Sequence, residues 1–419
     1  MGKFFSDKVE EGISLVWCTF IPEEMKRGME LLDAAAKEGD ADAMCFLARC
    51  YMGDEYVWGG GGLPVDEELS VKWVKESVLK GSAAGVLCAM RCDELTPAVR
   101  RNMPYTTTQA RDIILEKAQA GHPFCQYMIG NTYYYGDIIE MDKLDLEKDY
   151  PTEESYQAYA FPMAVEWFER ALENGFTIAF RNLRCIYSEG EGGIAKDEEK
   201  VLHYTKLAAG KGDPEMMNNY GCLLTESGHE AEGFRWYKQS ADAGEPVGCY
   251  NTGWCYEYGQ GVAENQRKAF NYYMKAAKKE YATAYFKLGS FYYDGDEVEE
   301  DNAKAAYWFQ KGADEEEFWC YPKLATCYQN GWGVEQDYDE AFDLFILAEE
   351  SIEEYDDDTK SLVWDGLGNA YGYGEGADED FKLAVEYYQK AAGLDNENSQ
   401  DSLKHFKKNL LGKWKRIDD

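Results

Sequence analysis

Apolar residues recur along this chain in two alternating patterns. The first is clearest at AYFKLGSFYYDG, from Ala284, and reads small-x-x-x-Leu-Gly-x-x-Tyr-x-x-Gly. Its positions one, five and nine are apolar and eight often joins them, a period of about 3.6 that marks one face of an amphipathic helix. Gly or Ala at position six sits beside that stripe and admits a neighbouring helix, at a propensity cost of up to ~1 kcal/mol for Gly. Gly at position twelve suits the left-handed residue that ends a helix. The pattern returns as CQYMIGNTYYYG from Cys125, AFRNLRCIYSEG from Ala179, GCYNTGWCYEYG from Gly248, CYPKLATCYQNG from Cys320 and VWDGLGNAYGYG from Val363. Looser copies start at Ala43, Ala84 and Met216, making nine.

The second pattern, Ala-x-x-aromatic-x-x-Lys-Ala-Ala, appears as AFNYYMKAA from Ala269, AAYWFQKGA from Ala305 and AVEYYQKAA from Ala384, with variants back to Gly28 for ten copies. Asn265, Asp301 and Asp337, each 36 residues apart, stand just before three of these helices, and Asp66, Asp197 and Asp380 hold matching places. Such side chains accept from the free N–H groups of a first helical turn. One helix pair cannot bury its apolar stripe alone, so successive pairs must stack. The expected fold is therefore all-α, a solenoid of about nine helix-turn-helix units.

The period also divides the chain. Residues 1–23 read as an N-terminal lead-in and 24–395 as the array, irregular over 24–215 and regular over 216–395. Residues 396–419, whose KHFKKNLLGKWKRIDD reverses the prevailing charge, read as a basic C-terminal capping helix. Two insertions break register, at 54–65 with four consecutive glycines and at 137–161, rich in acid and tyrosine. Insertions in solenoids map to loops on one face, either as part of a binding surface or as tolerated decoration.

The alternation of the two patterns at a 36-residue period resembles the Sel-one-like repeat family, relatives of tetratricopeptide repeats, over residues 24–395. The resemblance implies a right-handed α/α superhelix that binds other proteins. Positions three, seven and ten of the first pattern lie away from its buried stripe. If the related repeats are a guide, this row lines a concave groove: Tyr127, Asn131, Tyr134, Arg181, Asn218, Tyr250, Trp254, Phe286 and Tyr293. Aromatic residues there are candidate anchors for a peptide or helix, or they bridge adjacent helices.

Composition narrows the partner. The 419 residues carry 79 acidic and 43 basic side chains, a net charge of −36. That balance excludes nucleic acid, whose affinity rests on cations that neutralise phosphates, and anionic membrane surfaces. It serves solubility, or it steers a basic protein or peptide to the array. No apolar run reaches the ~18–20 residues needed to span a bilayer. The twelve cysteines follow no repeating spacing and no export signal precedes them, so they read as reduced core residues of a cytoplasmic protein. With four histidines, none at a zinc-like spacing from a cysteine pair, no metal or cofactor site is expected. No phosphate loop, dinucleotide fingerprint or nucleophile elbow occurs, so the chain reads as a scaffold or adaptor and not as an enzyme. A self-associating structural protein, and an unrecognised enzyme or small-ligand binder, are the alternatives. The oligomeric state stays open.

Overall fold

A computed structural model describes residues 4–52, 63–137, 139, 146–150, 152–176, 178–295, 297–410 and 412–417. Residues 54–62 of the first insertion, and 138, 140–145 and 151 of the second, lie outside the described residues. The chain divides into two units, Met1–Glu245 and Pro246–Asp419. Both are built from consecutive helix pairs, the α/α solenoid fold that the two patterns predict.

One pair of the second unit shows how the sequence makes this fold. The first pattern becomes the Thr283–Asp294 helix, which buries Ala284, Tyr285, Leu288, Gly289 and Phe291. Gly295 ends it at φ +73°, where any other residue would be strained. Asp301 then caps the Asn302–Asp314 helix, its Oδ1 accepting from the Lys304 N–H at 3.0 Å. Ala305, which opens the second pattern, is buried with Ala306 and Phe309, as is Gly312, which holds the first place of the closing small pair.

The small residue at position six has a specific task. A Cβ on Gly289 would lie 2.4 Å from the Phe309 ring, so glycine is what seats that ring. The same contact joins Gly130 to Phe168, Gly221 to Tyr237, Gly253 to Tyr273 and Gly368 to Tyr388. The ring involved stands at position five of the second pattern, one residue beyond the aromatic that defines it. In three pairs the defining aromatic instead stacks on the tyrosine at position nine of the first helix, whereas Trp308 stacks on Tyr285. Tyr187–Tyr204, Tyr256–Tyr272 and Tyr371–Tyr387 stack at 5.9, 5.8 and 5.9 Å. A lysine three residues past the cap covers that tyrosine in two of these pairs, Lys200 at 4.2 Å and Lys268 at 4.9 Å. A second close approach sets the spacing of neighbouring pairs. Gly333, at φ +76°, faces the preceding pair so closely that a Cβ would meet the Asn302 carbonyl oxygen at 2.0 Å.

The two chain ends differ from expectation. Within the expected lead-in 1–23, Asp7–Trp17 is a helix that buries Val9, Ile13, Val16 and Trp17. It packs on the Pro22–Lys37 helix through facing glycines: a Cβ on Gly12 would lie 2.7 Å from Leu32 and 3.2 Å from the Gly28 oxygen. The first copy of the second pattern thus has a partner helix, whose apolar positions do not follow the first pattern. This resolves the mismatch of nine copies against ten.

The basic capping helix expected over 396–419 is corrected. A short helix, Glu397–Ser402, leads into an antiparallel hairpin of Phe406–Lys408 and Trp414–Arg416, with Phe406 opposite Arg416 and Lys408 opposite Trp414. Few apolar residues recur here at helical spacing, and Gly412 turns the chain at φ +76°. Phe406 is buried against Phe381 and Tyr388, each 5.8 Å away. Arg416 donates to the Gly372 oxygen at 2.8 Å. The last repeat is therefore covered, but by strands.

Candidate functional site

In the second unit, three of the nine expected groove residues come together. Tyr250 and Trp254, on the Pro246–Tyr258 helix, and Phe286, on the Thr283–Asp294 helix, line a cleft of about 810 Å³. Trp319 completes its apolar wall, 5.9 Å from Phe286. Tyr250 is held 5.4 Å from both Tyr273 and Tyr281, and Trp254 lies 5.2 Å from Tyr258. These rings are partly exposed along one side, so the helices supply an apolar floor without closing it.

The polar groups of the cleft are ordered by one ion pair. Lys287 Nζ lies 2.9 Å from Glu257 Oε1 and donates to the Tyr258 hydroxyl at the same distance. The Tyr273 hydroxyl donates to the other Glu257 oxygen. Burial and the Glu257 charge push the Tyr273 hydroxyl far above the ordinary tyrosine range, so it remains a neutral donor. Burial raises Tyr250 as well. With Glu257 and Lys287 cancelling one another, the field in the cleft is set by Asp294, Asp356 and Asp358 against Lys323. Three carboxylates face one ammonium, which favours a cationic segment.

Tyr293 falls outside this lining; it packs 6.5 Å from Phe309 and 6.0 Å from Trp332, with Lys323 Nζ 5.4 Å from its ring centre. The expected residues of the first unit are placed differently. Tyr127 sits among the rings of Phe124, Phe168 and Phe176. Asn131 is buried, and its backbone carbonyl accepts from Arg91 at 3.0 Å. Tyr134 donates to Glu191 at 3.1 Å. Arg181 pairs with Asp213 at 3.2 Å and Glu215 at 2.8 Å. Asn218 is buried. Burial outweighs Arg181 and raises the Asp213 carboxyl to about 6.

Sequence reasoning missed Trp319, Glu257 and Lys287. Trp319 precedes a pattern copy by one residue, and Glu257 and Lys287 hold positions ten and four of theirs. Only the fold brings these positions to one wall. Among the described residues, no three His, Cys, Asp or Glu side chains are grouped to hold a metal ion. Among the described residues, no helix is long and apolar enough to cross a membrane.

Comparison with known proteins accords with this architecture. The Sel1 repeat model matches residues 41–82, 123–148, 161–176, 185–213, 214–245, 246–281, 282–316, 323–351 and 366–396, together about two thirds of the chain. The chain belongs to the Sel1 repeat family. Sel1 repeat proteins in general mediate protein–protein interactions and are in general non-enzymatic. The matches at 123–148 and 161–176 fall on two helices of one pair, Pro123–Tyr134 and Glu153–Glu173, parted by the second insertion. A curated relative, the chitin synthase regulator SKT5 of Saccharomyces cerevisiae, is 32% identical over 112 residues, 25% of this chain and 16% of that protein. The chain thus spans a small part of that relative. Among solved structures, a Sel1 repeat protein from Oxalobacter formigenes is 20% identical with a TM-score of 0.49, over 96% of both chains. The protective antigen c5321 of uropathogenic Escherichia coli, which displays the same repeat fold, is 22% identical with a TM-score of 0.46 over 90% of this chain and 89% of that one.

Proposed function

We propose that this Sel1 repeat protein is a non-catalytic adaptor whose second unit binds a basic peptide segment of a partner protein in the Tyr250–Trp254–Phe286 cleft. The observation that carries this reading is the wall of four aromatic side chains beneath an excess of carboxylates. Rigid aromatic anchors supply most of the energy in such contacts, and charge complementarity selects and steers the partner. The remaining groove residues, from Tyr127 to Asn218 and Tyr293, act in this reading as supports of the array. All twelve cysteines are free thiols, which suits a reducing compartment such as the cytoplasm.

A displayed peptide library, selected in parallel on the wild-type chain and on a Trp254→Ala/Phe286→Ala variant, tests the proposal. Wild type should enrich sequences that combine Lys or Arg with an apolar anchor, and the variant should lose them while keeping its helical content. Enrichment of acidic sequences, or the same sequences on both proteins, would refute it.

A further inference from the structure

The first unit holds a cavity of a different character, formed where the second insertion meets the Pro123–Tyr134 helix. It measures about 500 Å³ and its walls include Tyr134, Tyr135, Tyr150, Tyr156 and Phe161. The rings are not stacked against one another. Tyr135 stands at 89° to Tyr134 with centroids 4.9 Å apart, and Tyr150 at 81° to Tyr156 at 5.8 Å. Faces and edges are thus presented in turn around the space, as in a cage.

Three observations indicate what such a cage holds. The first is that one of its rings already carries a cation: the Arg91 guanidinium carbon lies 4.0 Å from the Tyr135 ring centre, while Tyr135 remains 58% exposed. Arg91 is itself neutralised by Asp137. The second is the charge of the lining. Among the described lining residues Glu153 is the one carboxylic side chain and none is basic. Glu191, fixed by the Tyr134 hydroxyl, borders the adjoining hollow and adds a second carboxylate. The third is the balance of the described lining, in which aromatic rings outnumber the acceptor side chains Thr152, Glu153 and Gln157. The Tyr156 hydroxyl has no hydrogen-bond partner and is sealed within the wall. A primary ammonium entering here would lose strong hydration and find few oxygens to replace it. A methylated ammonium has no N–H to satisfy and offers a diffuse charge to the ring faces.

We propose that this cavity is a binding site for a quaternary ammonium group. It is separate in residues and in unit from the peptide cleft, so either proposal can fail alone. Isothermal titration of the full chain tests it with three probes: choline, N-acetyl-trimethyllysine methylamide, and neohexyl alcohol, the uncharged carbon isostere of choline. Both cations should bind at least about tenfold more tightly than the isostere, the ratio expected when ring faces act on charge and not on shape. Tighter binding of the lysine derivative than of choline identifies the source as a partner protein; equal binding identifies a free small molecule.

Tyr135→Ala, at an exposed position, and Tyr150→Ala should each weaken the cations several-fold, whereas Tyr150→Phe should bind as wild type because the ring supplies the contact. If Tyr150→Ala does not fold, Tyr135→Ala decides alone. Equal affinity for choline and its isostere, no saturable heat from either cation, or undiminished binding by folded Tyr135→Ala would overturn the assignment.

Discussion

The two units solve the same packing problem in different ways. In Pro246–Asp419, three of the four repeat pairs are locked internally, Gly253 to Tyr273, Gly289 to Phe309 and Gly368 to Tyr388, and Ala325 stands in the place of glycine in the fourth. In Met1–Glu245, Gly130 and Gly221 keep the lock, but Ala48, Ala89 and Arg184 replace glycine at the same position in the other three repeats. There a row of buried rings joins repeats that are remote in sequence. Phe124 touches Trp17 at 5.7 Å, Phe46 at 4.8 Å and Phe176 at 5.3 Å. His122 extends the link, its Nε2 3.1 Å from Glu10 while its Nδ1 caps the following helix by accepting from the Cys125 N–H at 3.2 Å. The lesson is that strict period and local locking go together. A pair that satisfies its own stripe can be copied unchanged, whereas a shared core ties each copy to particular neighbours. Insertions then accumulate where the core no longer depends on register.

The largest effect that could break this comparison comes from removing one ring in each unit. Phe124→Ala and Phe309→Ala both empty a fully buried site and should each cost about 3–5 kcal/mol. Their footprints should differ in native-state hydrogen exchange. Phe309→Ala should loosen its own pair and the adjacent ones, as nearest-neighbour arrays do. Phe124→Ala should also loosen the Asp7–Trp17 and Ala41–Tyr51 helices. A footprint confined to one pair in both variants would abolish the distinction.

A smaller effect should come from exchanging the residue at position six. Gly289→Ala places a methyl group against the Phe309 ring and should destabilise by about 1–3 kcal/mol, despite the better helix propensity of alanine. Ala48→Gly removes a fully buried methyl and lowers helix propensity, and should cost about 1–2 kcal/mol. Denaturant titration of both variants and wild type decides it; a stabilised Gly289→Ala would show that the lock is dispensable.

The smallest expected effect is a pH dependence confined to the first unit. Asp213 is fully buried and its carboxyl is raised to about 6, above its ordinary 3.8. The folded chain therefore holds that proton more tightly than the unfolded one, so the group's contribution to stability falls as pH rises from about 4 to about 6. Asp213→Asn keeps the helix cap and removes the titration. The stability of wild type relative to this variant should drop by about 2 kcal/mol between pH 4 and pH 7, most of the span that the shift from 3.8 to about 6 sets. A constant difference across that range would mean that Arg181 holds Asp213 ionised throughout.

Much of the array was legible in residue order because its rules are local. Periodicity marks each amphipathic face, Asp or Asn before the second helix marks its start, and Gly295, Gly331 and Gly374 mark helix ends by a conformation that glycine adopts most easily. The C-terminal hairpin was less legible: its strands are three residues each, and Phe406 and Trp414 carry too little pattern to declare a period. The Asp7–Trp17 helix escaped for a related reason, since a terminal helix packs on one side only and its apolar stripe is displaced from the repeat.

The candidate sites divide along the same line. Tyr250, Trp254 and Phe286 could be named from position alone, because a helix face is a property of spacing. Asn131 and Asn218 hold equivalent positions, yet the packing of the first unit draws them into its interior, since burial depends on which neighbours arrive. That Trp319, Glu257 and Lys287 share a wall with the first three, and that Tyr135, Tyr150 and Phe161 enclose one space, was decided by tertiary structure alone. Sequence determined which faces each helix would have; only the stacking of helices far apart in the chain determined what those faces meet.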